Sequence, residues 1–213
     1  MVENERIHPG DAERGEAQIL DEHEVWCNEI ARLLVGRVRF PAEKHGRHVE
    51  KEQFRLDHAV TQEDGVIAVP ILPDHRIILV RQFRHPVRMW LRELPRGGRE
   101  KGERPEEAAA RELREEVGCE TEDTFPLGRL TTDSGQQTGY PYMFAARVAE
   151  PRQREPEDTE AIDRLFRYTF GDLREACRRG RIVDSFTLAA VVRLEPHFDG
   201  DRFVYRPEYA PAD

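Results

Sequence analysis

GGREKGERPEEAAARELREEVGC, residues 97–119, is the stretch from which the fold of this chain can be read. Gly97, Gly98 and Gly102 mark a loop. Pro105 stands where a first helical turn accepts proline, since the missing N–H has no helical partner there. Glu106 and Glu107 follow, with charges that suit a helix N-terminus. The spacing predicts a helix over 105–117, stopped by Gly118. Along it Glu112, Glu115 and Glu116 stand at i, i+3 and i+4, within an arc roughly 100° wide. Ala110, Leu113 and Val117 are expected to face the core. Ala108 and Ala109 are expected one turn before Glu112 on the acidic arc, leaving room beside the carboxylates.

A solvated, charge-rich helix is the plain alternative, and it fits poorly. Glu112 and Glu116 are like charges at i, i+4, which cost a few tenths of a kcal/mol. Arg111 can reach Glu107 and Glu115, but an acidic excess remains. A hard divalent cation removes the repulsion. Magnesium takes oxygen ligands, often one or two carboxylates completed by water and substrate phosphates.

Outward from this helix the chain shows strand patterns on both sides and further helix patterns near its end. Strands are expected at 33–40, 48–56, 66–72, 76–83, 90–94, 125–130, 140–148 and 162–169, with Gly46 and Pro73-Asp74-His75 at turns. Helices are expected at 172–179 and 185–194. Residues 1 to 22 carry little apolar periodicity and are expected to wander or lie on the surface. Mixed strands enclosing one glycine-introduced helix, with helices at the end, indicate an α/β (α+β) sandwich.

Composition narrows the class. The 213 residues can bury a core, and 38% hydrophobic with 35% charged residues describe a polar globular chain. A net charge of −9 argues against a nucleic-acid backbone as main partner. Residues 65–72 form an apolar run too short for a bilayer, no secretory signal opens the chain, and a cytoplasmic location is expected. Cys27, Cys119 and Cys177 lack metal-ligand spacing and read as reduced thiols.

Gly97, five residues, Glu103, seven residues, then RELREEVGC reproduces G-x5-E-x7-R-E-U-x-E-E-x-G-U, the Nudix box, where U is bulky and aliphatic. All seven fixed positions match: Gly97, Glu103, Arg111, Glu112, Glu115, Glu116 and Gly118. At roughly 7% usage per residue type, chance agreement is about one in 10⁸ per start point. Cys119 departs mildly from the last aliphatic position, since a free thiol packs as a small hydrophobe. The chain therefore resembles the Nudix hydrolases. Gln82-Phe83-Arg84 and Glu93-Leu94-Pro95-Arg96-Gly97 look like the Q-Y/F-R and E-L-P-A-G of the ADP-ribose pyrophosphatase branch, with Arg96 replacing the usual alanine.

The resemblance implies an α/β/α sandwich with a mixed sheet, and N-terminal strands used in homodimerisation. It divides the chain into an extension at 1–60, a Nudix domain at 61–200 and a tail at 201–213. It implies Mg²⁺, or Mn²⁺, held by Glu112, Glu116, Glu115 and the carbonyl of Arg96. Glu115 is ligand or base-like partner, while Arg111 and Glu103 orient the carboxylates and Gly97 lets the backbone approach. Arg84 grips the diphosphate. Asp158 and Glu160 are both candidates for a loop carboxylate in catalysis. Trp26 or Phe40 is a candidate to stack on a base from the second subunit. The loop 131–142, with Gln136 and Gln137, lacks the acidic residue often seen there.

The implied reaction is hydrolysis of a nucleoside diphosphate linked to another group, best matched by ADP-ribose giving AMP and ribose 5-phosphate. The alternatives are another nucleotide sugar such as GDP-mannose, a nucleoside triphosphate, or a non-catalytic nucleotide-sensing module. The last expects eroded box glutamates or an attached DNA-binding domain, whereas the box here is complete.

Overall fold

The computed structural model describes residues 9–28, 30–44, 47–57, 64–131, 133–152 and 161–211. The chain divides into two compact units. One comprises Met1–Gln62 with Asp133–Gly139 and Asp213, the other Glu63–Thr132 with Tyr140–Ala212.

In the first unit β1 (Gln18–Cys27), β2 (Arg32–Lys44) and β3 (Arg47–Asp57) form an antiparallel sheet in that order. The expected strands at 33–40 and 48–56 are β2 and β3. Strand β1 falls partly within the segment expected to be irregular. Its sequence QILDEHEVWC hides the alternation because most of its side chains are exposed, and two register shifts interrupt it. Cross-strand ion pairs join the strands: Arg37 to Asp21 at 2.6 Å, Arg55 to Glu22 at 2.7 Å and Arg39 to Glu50 at 2.9 Å. At such exposure solvent screens these pairs, so they set the register of the strands more than they add to stability. Gly36 is needed because a Cβ there would run into the backbone of Asp21.

The second unit is built on β4 (Val66–Ile71), β5 (Ile77–Arg84), β6 (Met89–Glu93), β7 (Arg96–Gly97), β8 (Thr121–Arg129), β9 (Tyr142–Val148) and β10 (Ile162–Tyr168). The path runs β10-β5-β4-β9-β8, with β6 on β5 and β7 on β4. Strands β4 and β9 are parallel and the other pairs antiparallel. Strands β4 and β5 share one register pair, Ile71 with Ile77, and then part. Strand β6 follows β5 from Val80 to Arg84, and β7 pairs with Val66 and Ile67 of β4. The segment Glu93–Gly97 thus crosses the fork, held by the Ala68 N–H to the Pro95 carbonyl at 3.0 Å.

Both faces of this sheet are covered. Ile67, Val69, Ile71, Ile77 and Leu79 pack with α2 (Phe170–Arg178) and α3 (Ser185–Leu194). Val66, Ala68, Ile78 and Val80 pack with α1 (Pro105–Glu112) and the π-helical turn Leu113–Val117. That two-sided burial is why VIAVPI reads as an unbroken apolar run. Each fully buried Val, Leu or Ile contributes roughly 1.5–3 kcal/mol. The architecture is the expected mixed-sheet α/β/α sandwich.

Helix α1 begins at Pro105, with the Arg104 N–H donating to Glu107 Oε2 at 3.1 Å, and Gly118 closes the π turn at φ 77°. Its core face corrects one expectation. Ala108 and Ala109 are fully buried beside Leu113 and Val117, while Ala110 is only half-buried. The apolar stripe is rotated toward the acids, so Glu112 and Glu116 lie at its margin. In the C-terminal segment Phe203 is buried and Tyr205 packs against the same core. Among the described residues no helix is long and apolar enough to cross a membrane.

Candidate active site

The site begins where β7 meets α1. The Glu112 carboxylate lies over Gly97: a Cβ there would sit 2.5 Å from Oε2 and closer still to Oε1 and Cδ. Only glycine leaves that space. Glu112 and Glu116 are 5% and 1% exposed, an unusual burial for two acids on one helix. The Arg96 N–H donates to Glu116 Oε1 at 3.3 Å. The two carboxylates therefore take successive residues of β7, Arg96 and Gly97, as neighbours.

Arg111 organises the acids. Its Nε and Nη2 donate to Glu103 Oε1 and Oε2 at 3.1 and 3.2 Å, and Nη2 also to the Gly98 carbonyl at 2.7 Å. Its Nη1 donates to Glu112 Oε1 at 2.8 Å and Glu115 Oε2 at 2.9 Å. All five guanidinium N–H groups are engaged, as a planar fork allows. Burial opposes the charge on Arg111, but the Glu103 hydrogen bond and the Glu112 charge outweigh it and raise its pKa. Desolvation likewise works against Glu103, yet Arg111 holds that carboxyl below its ordinary range.

A second set of charges lies along the fork. Glu93 is fully buried, with Arg84 Nη2 at 2.5 Å from Oε1 and Arg96 Nη2 at 3.3 Å from Oε2. Burial raises the Glu93 pKa against the opposing effects of Arg96 and Arg84, and burial lowers that of Arg96. Arg96 also reaches Asp184 Oδ1 at 3.2 Å and lies over the Phe186 ring at 4.4 Å.

The structure gathers some expected residues and not others. Arg111 brings together Glu103, Glu112 and Glu115, and β7 receives Glu112 and Glu116. Among the described residues, however, no three acids, histidines or cysteines form one metal-sized cluster. Glu115 Oε2 accepts from Arg111 Nη1. Arg84 is tied to Glu93. Trp26 is half-exposed on β1 and Phe40 lies half-buried on β2, both in the first unit. Asp158 and Glu160 lie outside the described residues. Cys119 is buried in the α1 core, as a small hydrophobe should be.

Three polar residues went without a role in the sequence: Glu93, Gln82 and Asp184. Glu93 and Gln82 stand in the quoted Q-F-R and E-L-P motifs, and Asp184 in the segment entering α3. Only coordinates reveal that all three are buried, or that the Arg96 side chain joins two of them.

This sandwich and its glutamate-bearing helix define the class. The NUDIX domain family model matches residues 61–185, and the chain belongs to that family as a hydrolase. Its likeness is to the ADP-ribose pyrophosphatase branch. The chain is 26% identical over 183 residues to an ADP-ribose pyrophosphatase of Bacillus subtilis (strain 168), covering 84% of this chain and 93% of the relative. It is 29% identical over 182 residues to a methanol dehydrogenase activator of Bacillus methanolicus, again covering 84% and 93%. A crystal structure of an ADP compounds hydrolase shares the fold, with TM-score 0.70 and 21% identity over 84% of this chain and 92% of that one. Enzymes of this family generally use a divalent metal.

Proposed function

We propose that this chain hydrolyses the diphosphate of ADP-ribose to AMP and ribose 5-phosphate with Mg²⁺ or Mn²⁺. The observation that carries this reading is the pair of buried carboxylates, Glu112 and Glu116, set against Arg96 and Gly97. Their donor set fits a hard cation: all oxygens, with the Glu112 carboxylate lying in the space that a Gly97 Cβ would fill. Glu112, Glu116 and the Arg96 carbonyl would hold the ion, with Glu115 as a further ligand or base-like partner. When bound, the cation lowers the pKa of a coordinated water and offsets charge developing on the bridging oxygen.

The chain's own side chains do the rest. Arg111, fixed by Glu103, orients Glu112 and Glu115. Arg84 offers a fork suited to phosphate oxygens, and its Nε is buried with no hydrogen-bond partner in the protein. Asp158 or Glu160 takes the proton of the attacking water. Trp26 stacks on the base across a homodimer formed by the N-terminal strands.

A substrate panel tests the reading. Purified chain with Mg²⁺ is given ADP-ribose, GDP-mannose and nucleoside triphosphates, and the products are separated by chromatography. AMP with ribose 5-phosphate, formed only with metal, is the expected result. Sugar phosphate from GDP-mannose alone, or pyrophosphate from a triphosphate, would replace ADP-ribose as substrate.

A further inference from the structure

Arg96 stands where the resembling motif has alanine, and its side chain is not idle. The guanidinium spans two buried acids that lie 91 positions apart in the sequence: Glu93, three residues before it, and Asp184, 88 residues after it. Asp184 is the N-cap of α3. Its Oδ2 accepts from the Thr187 N–H at 2.9 Å and the Thr187 hydroxyl at 2.8 Å, leaving Oδ1 for Arg96 Nη1 at 3.2 Å. Thr187 Oγ1 in turn accepts the Leu94 N–H at 3.1 Å. The segment Leu94–Arg96, which links β6 to β7, is therefore tied to the first turn of α3 at two points, through its backbone at Leu94 and its side chain at Arg96. The Phe186 ring supports the guanidinium from one side. At the other end of the same residue, the Arg96 N–H holds Glu116.

We propose that Arg96 is a positioning residue: clamped by Glu93 and Asp184, its side chain fixes its own peptide against Glu116 and so sets the divalent-cation site. The inference rests on the metal reading above. A ligand-bearing peptide with alanine at this position is held by its backbone alone. Here the rigidity is supplied by a guanidinium whose two partners sit on different elements. Groups that orient metal ligands without touching the ion commonly change metal affinity about 10–100-fold when removed.

The test uses the full chain and Mn²⁺ alone, followed by calorimetry and by the Mn²⁺ electron paramagnetic resonance signal, well below the melting temperature. Arg96→Ala keeps every backbone atom, including the carbonyl, and should weaken Mn²⁺ binding about 10-fold or more. Asp184→Asn has one acceptor oxygen in place of two, so it can satisfy the α3 cap or Arg96 but not both; it should weaken Mn²⁺ in the same direction. In the Arg96→Ala background, Asp184→Asn should weaken Mn²⁺ no further, because the route from Asp184 to the ion runs through Arg96. A general loss of structure would instead make the two effects add. Wild-type Mn²⁺ affinity in Arg96→Ala, or additive effects, overturns the proposal. If Arg96→Ala fails to fold, Asp184→Asn with Arg96→Lys decides: unaltered affinity in both overturns it. Glu116→Gln separates the two levels. Loss of Mn²⁺ in Glu116→Gln with no loss in Arg96→Ala defeats the positioning role and leaves the metal reading standing. A wild-type chain that does not bind Mn²⁺ defeats both.

Discussion

Arg111 grips Glu103 through both carboxylate oxygens, Nε to Oε1 at 3.1 Å and Nη2 to Oε2 at 3.2 Å. The pair closes the glycine loop onto α1 and leaves Nη1 for Glu112 and Glu115.

Glu103→Gln should therefore cost about 1.5–3 kcal/mol of stability at pH 7, the range for hydrogen bonds to a charged group. The sign with pH follows from the depressed Glu103 carboxyl. Its contribution is complete above the ordinary value of 4.5 and is lost as pH falls through the lower folded value. Urea unfolding of wild type and variant at neutral pH and at about pH 3 checks this, since the gap between them should narrow in acid. A gap that widens there would contradict the pairing.

Gly97→Ala places a methyl group within the Glu112 carboxylate. The side chain must swing away, and a displacement of about 1 Å at a catalytic group can cost 10²-fold in rate. The expected variant folds, by circular dichroism, and loses kcat/KM by about that factor. Full activity would show that Glu112 does not act from this position.

Glu116→Gln is nearly isosteric and keeps an oxygen for the Arg96 N–H. It should abolish metal-dependent turnover while leaving the melting temperature within a few degrees. Near-wild-type hydrolysis would remove Glu116 from the metal site.

Thiol chemistry gives an independent check of the core. Burial pushes the Cys119 thiol up to about 12, and the side chain is fully buried. Cys27 is exposed. At pH 8 an aromatic disulfide reagent should label Cys27 in the native chain, and Cys119 only after denaturation, because the thiolate is the reactive form. Mass mapping of native labelling onto Cys119 would mean that the α1 core opens readily.

Much of the site could be read in one dimension because its parts are local. Gly97, Glu103, Arg111, Glu112 and Glu116 lie within one loop and helix, so their spacing alone places them together. The strand and helix spans were legible for the same reason, since apolar period and turn residues act over a few positions. Strand β1 was not legible, because its partners on β2 rather than its own pattern make it a strand.

By itself the sequence determined that a glycine loop leads into a helix with three glutamates on one arc, and that apolar strands surround it. Only the tertiary structure decided how that helix is turned. It buried Ala108 and Ala109, and set Glu112 and Glu116 against β7. Only it joined Arg96 to Asp184 across 88 residues. Periodicity states which residues share a face of a helix, whereas the sheet it packs on decides which face is buried.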